Sequence, residues 1–191
     1  MHRYTNIYQR DAMRTAVILR KFEPKPKAQM WIDWCDDKIG AMGFDATLHL
    51  PLHQAHLRSS DELRRSLTHT FNMLDRYFLR TSHRRFNLRI PRFVTHEYAK
   101  GVGWHAHISF KIWQDADGYV INPEHFETKL RDFWLATTKQ PRNGKFSDLI
   151  VNFKTTHDQF LSYSLKHIDD TRHCRGLVDT FNCAADDLKV A

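Results

Sequence analysis

The sequence predicts an α+β fold, in which a mostly antiparallel central β-sheet is flanked by helices. Three observations lead to it. Short runs alternate between apolar and polar residues, as strands do. Between them, apolar residues recur at three- and four-residue steps, as helices require. A glycine-containing turn joins two of the strand-like runs. The 191 residues suffice for one domain with a sizeable core.

The first part of the chain contains a linker, a strand and a long helix. Two prolines in FEPKPK interrupt a basic helical pattern, so residues 1–42 are expected to form an N-terminal helical extension. FDATLHL at 44–50 alternates and predicts the first strand. Ser59 and Glu62 have the spacing of a capping box, and the apolar residues after them predict a helix over 60–80.

A β-hairpin is predicted next, over residues 88–112. LRIPRFVTHEY and WHAHISFKIW are strand-like and are separated by AKGVG, whose glycines tolerate a positive φ. Because Pro91 lacks an N–H, the first strand of the hairpin should begin after it or lie at an edge.

The remaining elements are two helices and one strand. Asn122 and Pro123 predict the start of the second helix, and DLIVNF at 148–153 predicts a strand. Thr156 and Gln159 have capping-box spacing before a third helix, QFLSYSLKHI. Residues 170–191 are polar and are expected to form a loosely attached C-terminal tail. The predicted order is β, α, β, β, α, β, α.

Composition limits the classes of function. The sequence has 29 Lys and Arg against 22 Asp and Glu, a net charge of +7, which favours a polyanionic partner. Its three cysteines form no CxxC pair, so no disulfide framework is indicated. A zinc site could be formed by His173, Cys174 and Cys183. It is only a weak candidate, because the spacing of these residues fits no known ligand pattern. Without an apolar span or leader pattern, we expect a soluble, cytoplasmic protein with no membrane contact.

Two histidines flank a single alanine in the second hairpin strand. Residues at i and i+2 of a strand point to the same face, so His105 and His107 should project together. If Glu97 lies opposite His105, then Thr95 lies opposite His107, and the connecting loop must hold an odd number of residues, such as 100–102. Two imidazoles and a carboxylate would then hold a metal ion with open coordination positions. A solvent-facing hairpin with a simple Glu–His contact is the alternative.

A tyrosine and a lysine lie three residues apart on the third predicted helix. At 100° per residue Tyr163 and Lys166 share one side, nearly opposite the apolar stripe of Leu161 and Leu165. A phenol is a poor nucleophile unless its anion is stabilised and the attacked group is neutralised. A metal ion and a fixed lysine would do both.

These motifs together resemble the HUH endonuclease superfamily, and within it the rolling-circle replication initiators (Rep type) with a single catalytic tyrosine. FDATLHL, then HEYAKGVGWHAH, then YSLK follow the order of that family's three motifs, although FDATLHL matches the first only in part. The resemblance covers about residues 44–168 and implies an HUH/Rep-like sandwich, with the endonuclease domain at 43–169.

The resemblance implies nicking and joining of single-stranded DNA or of an origin hairpin. Glu97, His105 and His107 would hold Mg²⁺ or Mn²⁺, Tyr163 would become linked to the 5′-phosphate, and Lys166 would position or neutralise that phosphate. The result would be initiation of rolling-circle replication of a phage, plasmid or mobile element. Since no GxxxxGK[ST] motif occurs, we expect a separate helicase, and the protein itself as a monomer or weak dimer.

Basic residues next to the hairpin are candidate contacts to the DNA backbone: Arg84, Arg85, Arg89 and Arg92. A solvated basic turn is an equal interpretation of them. Three wider alternatives stay open for the whole chain. The same chemistry could serve a transposase or an origin-directed interfering nickase, or the chain could be a non-catalytic basic module with stacking tryptophans such as Trp104 and Trp113.

Overall fold

The computed structural model describes residues 26–39, 42–50, 59–111, 120–139, 151–154, 158–168 and 176–184. Their elements in chain order are α1 (Pro26–Lys38), β1 (Met42–His49), α2 (Ser60–Phe86), β2 (Arg92–Ala99), β3 (Gly103–Lys111), α3 (Pro123–Thr138), β4 (Val151–Lys154), α4 (Asp158–Ser164) and β5 (Gly176–Val178). The five strands form one sheet in the order β4-β1-β3-β2-β5, with every neighbouring pair antiparallel. The predicted α+β class is confirmed.

The central hairpin forms as the sequence predicts. β2 begins at Arg92, directly after Pro91. β3 begins at Gly103, so residues 100–102 form the connecting loop. Gly101 and Gly103 have φ of 85° and 82°, a conformation that costs other residues more than glycine. The glycines therefore set the length of the loop, and with it the register of the two strands.

The larger hydrophobic core lies on one face of the sheet, under α2 and α3. Helical apolar residues such as Phe71, Phe126 and Trp134 pack there against Ala106 and Ile108 of β3. Burial of these large side chains is the main source of the stability of the fold. Residues of β3 that alternate with Ala106 and Ile108 must point to the opposite face.

The second face of the sheet carries a smaller apolar cluster and a polar region. Phe93 of β2 packs against Trp31 and Cys35 of α1 and against Leu161 and Leu165 near α4. This cluster holds α1 and α4 on the face to which His105 and His107 also point. Helix α1, part of the predicted N-terminal extension, thus packs against the sheet.

Both long helices begin where the sequence predicts, and α2 is longer than predicted. Ser59 caps α2 with a complete capping box, and the Asn122 side chain accepts from two N–H groups of α3. Helix α2 continues past residue 80 to Phe86, through a kink at Arg80 whose φ is 47°. Nothing in the sequence explains this kink. Helix α4 ends at Ser164, and residues 165–168 continue as turns.

The predicted loose C-terminal tail is wrong for residues 176–184. β5 adds an edge strand to β2, and the backbone N–H of Asp179 donates to Val94 at 2.9 Å. Polar side chains of this segment are buried because they pair: Asp179 lies 2.8 Å from His96 Nε2 and accepts from Asn182 at 2.8 Å. Polarity in the sequence therefore did not mean exposure. Residues 170–175 and 185–191, Thr156, and 148–150 of the predicted strand lie outside the described residues.

Replacing Asp75 with alanine should lower the free energy of unfolding more than most single substitutions do. The buried Asp75 carboxylate accepts from Arg92 at 2.9 and 3.2 Å and from the N–H of Ile90 at 2.9 Å. Its loss leaves a buried guanidinium without a counter-ion, which costs about 3–5 kcal/mol of unfolding free energy. Urea denaturation measures this change.

The exposed ion pair between Asp61 and Arg64 provides the control. Asp61→Ala should cost at most about 1 kcal/mol, because solvent screens that pair. Equal losses for the two variants would show that the Asp75 contacts carry no special stability.

Candidate metal centre

The hairpin register brings the three predicted ligands together. Glu97 lies opposite His105, and Thr95 lies opposite His107. These are the pairings predicted from a loop of residues 100–102. Because side chains alternate along a strand, Glu97, His105 and His107 point to the same face.

The ligand atoms of the three residues form a compact, buried group. Glu97 Oε2 lies 3.0 Å from His107 Nε2 and 3.6 Å from His105 Nε2. One donor atom from each of the three residues lies within 4.8 Å of the others. Glu97, His105 and His107 are only 6%, 6% and 5% exposed, so the alternative of a solvent-facing hairpin is wrong.

The ring of His105 is oriented with a lone pair toward the carboxylate. His105 Nδ1 lies 3.2 Å from the carbonyl oxygen of Gly103, which can only accept, so this nitrogen carries the proton. In neutral His105 the Nε2 atom then has no proton and faces Glu97 Oε2. Two lone pairs facing each other across a buried gap are stabilised by a cation between them, so the donor set fits a metal ion.

His107 can present the same nitrogen without losing its other partner. Its Nδ1 lies 3.1 Å from the Thr47 hydroxyl. A hydroxyl both donates and accepts, so either neutral form of the His107 ring is satisfied on this side. Thr47 thus acts on the site by holding the ring of a ligand, as outer partners of metal-bound histidines do.

The carboxylate of Glu97 is the negative centre of the site. Burial opposes its ionisation, but the hydrogen bond from His107 and the positive charge of Lys166 outweigh burial, so the pKa of Glu97 lies well below its usual range. Lys166 Nζ lies 3.1 Å from Oε2, and His167 Nε2 lies 3.4 Å from Oε1. Both carboxylate oxygens therefore face nitrogen atoms.

Two histidines of the site are held neutral. Burial lowers the pKa of His107 to about 4, against the opposing hydrogen bond to Glu97. Burial, together with His105 and His107, lowers the pKa of His49 to about 3. Since metals bind the neutral imidazole, the lowered pKa of His107 favours ligation at neutral pH.

Without added metal, the protein should lose stability as the pH falls from about 6.5 to about 4. In this window the unfolded chain protonates His49 and His107, whose usual pKa is 6.5, while the folded chain does not. The unfolded state binds more protons, so acid favours unfolding. Thermal melts in EDTA across this window measure the effect.

His49→Phe is the matched variant for this pH dependence. It keeps a ring beside His105 and removes one titrating group, so the melting temperature should fall less steeply with acid. A wild-type melting temperature that stays flat across the window would contradict the burial of neutral imidazoles.

The predicted nucleophile lies beside the candidate metal ligands. The ring centroid of Tyr163 is 5.5 Å from that of His107, and Lys166 Nζ lies 3.5 Å from the Tyr163 ring centroid. The two residues share one side of the α4 region, as predicted from their spacing. Leu161 and Leu165 are buried in the apolar cluster of Phe93, while Tyr163 and Lys166 contact the polar region on the same face of the sheet.

The sequence interpretation missed three contributors to the site. His49 stacks on His105 at 5.0 Å between ring centroids, Thr47 contacts His107, and His167 contacts Glu97. Thr47 and His49 alternate with apolar residues in FDATLHL, and β1 pairs with β3. That alternation was the signal, because it puts two polar residues of β1 on one face.

Two of the four candidate DNA contacts have structural roles instead. The Arg92 guanidinium is buried, bound to Asp75 and stacked 4.3 Å over the Phe71 ring, so the prediction that Arg92 contacts DNA is wrong. Arg89 is half-buried and donates to Asn72 at 2.8 Å. The sequence could not reveal this, because it does not show which distant carboxylate neutralises an arginine.

Arg84 and Arg85 remain exposed at the end of α2. They lie on α2, which packs on the face of the sheet opposite to the one to which Glu97, His105 and His107 point. Within the described part of the chain, they therefore form a surface separate from Glu97, His105 and His107.

Comparisons with known proteins give no family for this chain. No family model, curated protein or solved structure matches it. Among the described residues, no helix has the length and apolar content needed to cross a bilayer. Of the weak candidate zinc site, His173 and Cys174 lie outside the described residues. The Cys183 Sγ accepts from the N–H of Val94 at 3.4 Å, and burial raises the pKa of this thiol to about 12.

Proposed function

We propose that this protein is a metal-dependent endonuclease and strand transferase of the HUH type, which nicks and rejoins single-stranded DNA through a 5′-phosphotyrosine. The observation that carries the proposal is the convergence of Glu97, His105 and His107 with the Tyr163 ring, 5.5 Å from the ring of His107. A buried carboxylate, two imidazoles and an adjacent phenol are the groups that this chemistry needs.

Glu97, His105 and His107 would hold Mg²⁺ or Mn²⁺. Of the two ions, Mn²⁺ is favoured by two nitrogen donors, because Mg²⁺ prefers surroundings made of oxygen atoms. When bound, the ion supplies a Lewis acid for the scissile phosphate. The chain's own contribution is to fix the three donor atoms through the hairpin register, Thr47 and the carbonyl of Gly103.

Tyr163 would attack the scissile phosphorus. A bond forms between its phenolic oxygen and phosphorus, and the bond from phosphorus to the 3′ oxygen of the preceding nucleotide breaks. The phenol loses its proton, and the departing oxygen takes one up to become a 3′-hydroxyl. The phosphodiester is exchanged for a phosphotyrosine, so a later 3′-hydroxyl can reverse the step and rejoin the strand.

Lys166 would offset the negative charge that develops on the phosphate. Its ammonium lies 3.1 Å from Glu97 Oε2 and over the Tyr163 ring, between the metal ligands and the nucleophile. A fixed cation at this point stabilises charge in the transition state more than in the ground state.

The natural substrate would be single-stranded DNA or the loop of an origin hairpin, with a separate helicase opening the duplex. The setting would be the cytoplasm, in rolling-circle replication of a phage, plasmid or mobile element, with the protein as a monomer or weak dimer. Transposition or interference with another element's origin would use the same chemistry, and nothing in the site favours one of them.

Incubation with Mn²⁺ and a pool of labelled single-stranded oligonucleotides tests the proposal. We expect a protein–DNA band that survives denaturant and a free 3′-hydroxyl on the released fragment. Retention of DNA that persists in EDTA, with no covalent band across a broad pool, would favour the non-catalytic basic module instead.

A further inference from the structure

The outer face of α2 carries an unusual density of positive charge. From Leu63 to Phe86 the helix contains the arginines Arg64, Arg65, Arg76, Arg80, Arg84 and Arg85 and a single acidic residue, Asp75. Asp75 is buried and bound to Arg92, so it does not neutralise the outer face. Beyond the first turn, the exposed side of α2 is therefore basic without interruption by acid.

Four of these six arginines are exposed and make no ion pair within the described part of the chain. Arg64 pairs with Asp61 and Asp179. The side chains of Arg65, Arg76, Arg84 and Arg85 are exposed and make no ion pair with any other described residue. His69 is exposed on the same helix, between the two groups of arginines. Like charges on one helix repel one another, so binding of an anionic partner would reduce the electrostatic repulsion among these side chains.

This basic face lies on the far side of the sheet from the metal centre. α2 packs on Ala106 and Ile108 of β3, whereas His105 and His107 alternate with them and point to the opposite face. A short single strand held at Tyr163 would therefore not need to reach it. A second nucleic-acid segment could occupy it at the same time.

We infer that the outer face of α2 binds the phosphate backbone of duplex DNA, at a surface separate from the metal centre. The choice of DNA as the polyanion rests on the proposed function. From Arg65 to the kink at Arg80 the helix is roughly 22 Å long, with Arg84 and Arg85 beyond the kink, and a duplex presents about one charge per 1.7 Å of its axis. The arginine side chains along this length can therefore contact several phosphates of the duplex. Because they contact the DNA backbone rather than the bases, binding is independent of sequence.

Fluorescence anisotropy with a short labelled DNA duplex, in EDTA and over a salt series, tests this surface. The triple variant Arg76→Gln/Arg84→Gln/Arg85→Gln should bind at least about 10-fold more weakly than wild type. The slope of log K against log salt should shrink by about 2 to 3, since each lost phosphate contact removes roughly 0.9. Circular dichroism checks that the variant is folded.

Lys27→Gln/Lys38→Gln/Lys139→Gln is the control, because it removes the same charge from α1 and from the end of α3. It should leave the slope nearly unchanged. Equal losses for the two triple variants would overturn the inference, since net charge alone would then explain binding. Absence of duplex binding by the wild type in EDTA would overturn it as well.

The metal centre does not enter this experiment. His105→Ala/His107→Ala protein should bind the duplex as wild type does, so a failure of the nicking proposal leaves this test intact. Weaker duplex binding by that variant would place the duplex at the metal centre and contradict a separate surface.

Discussion

His105→Ala and His107→Ala should each weaken Mn²⁺ binding by at least about 100-fold. Residues that only support a ligand typically account for a 10- to 100-fold change in affinity, and a direct ligand should exceed this. Each histidine supplies one of the three buried donor atoms within 4.8 Å of one another. The loss of either leaves two of these three donor atoms.

Electron paramagnetic resonance of free Mn²⁺ during a titration measures these affinities. His69→Ala is the matched control, because His69 is exposed on α2 and on the other side of the sheet. The affinity of the His69→Ala variant for Mn²⁺ should equal that of the wild type. If the His105→Ala and His107→Ala variants both bind Mn²⁺ with wild-type affinity, the ion binds at another site and the assignment of these ligands is wrong.

Tyr163→Phe should reduce strand cleavage by at least about 10⁴-fold, because it removes the nucleophilic oxygen and nothing else. The contacts that the Tyr163 side chain makes with His107, and with Lys166, involve its ring, which phenylalanine retains. Metal affinity and the melting temperature should therefore stay at their wild-type values. The fall should appear in the rate of cleavage of a single-stranded oligonucleotide under single-turnover conditions.

Tyr98→Phe makes the same chemical change on β2 and serves as the control. Tyr98 packs against Trp104 at 5.5 Å through its ring, at the hairpin end of the strands. Its hydroxyl has no part in the proposed reaction, so the cleavage rate should not change. Cleavage by Tyr163→Phe at the wild-type rate would mean that another group attacks the phosphate, and the assignment of the nucleophile would be wrong.

Local patterns predicted the central hairpin and the convergence of Glu97, His105 and His107, the candidate metal ligands. The two-residue period of a strand and the glycines of the loop determine which side chains face each other, so Glu97 and His105 could be paired from sequence alone. The candidate nucleophile was also placed correctly relative to the apolar stripe, because that stripe follows the helical period.

Long-range partners could not be predicted. Arg92 is a charged residue beside a basic run. Only the fold shows that it is buried and forms an ion pair with Asp75, which lies on another element. β5 is a strand of three residues in a polar segment, too short for its period to be read. Its place in the sheet depends on contacts such as that between Asp179 and His96. Such pairs are specified by tertiary structure, and their members are far apart in the sequence.

Mass spectrometry of the covalent product tests the central claim most directly. After reaction with Mn²⁺ and a cleavable oligonucleotide, nuclease and trypsin digestion should yield the peptide TTHDQFLSYSLK, residues 155–166, in which Tyr163 is the only tyrosine. We predict a nucleotide joined through its 5′-phosphate to Tyr163. A nucleotide on another residue, or a cleaved oligonucleotide with no modified peptide, would contradict the account.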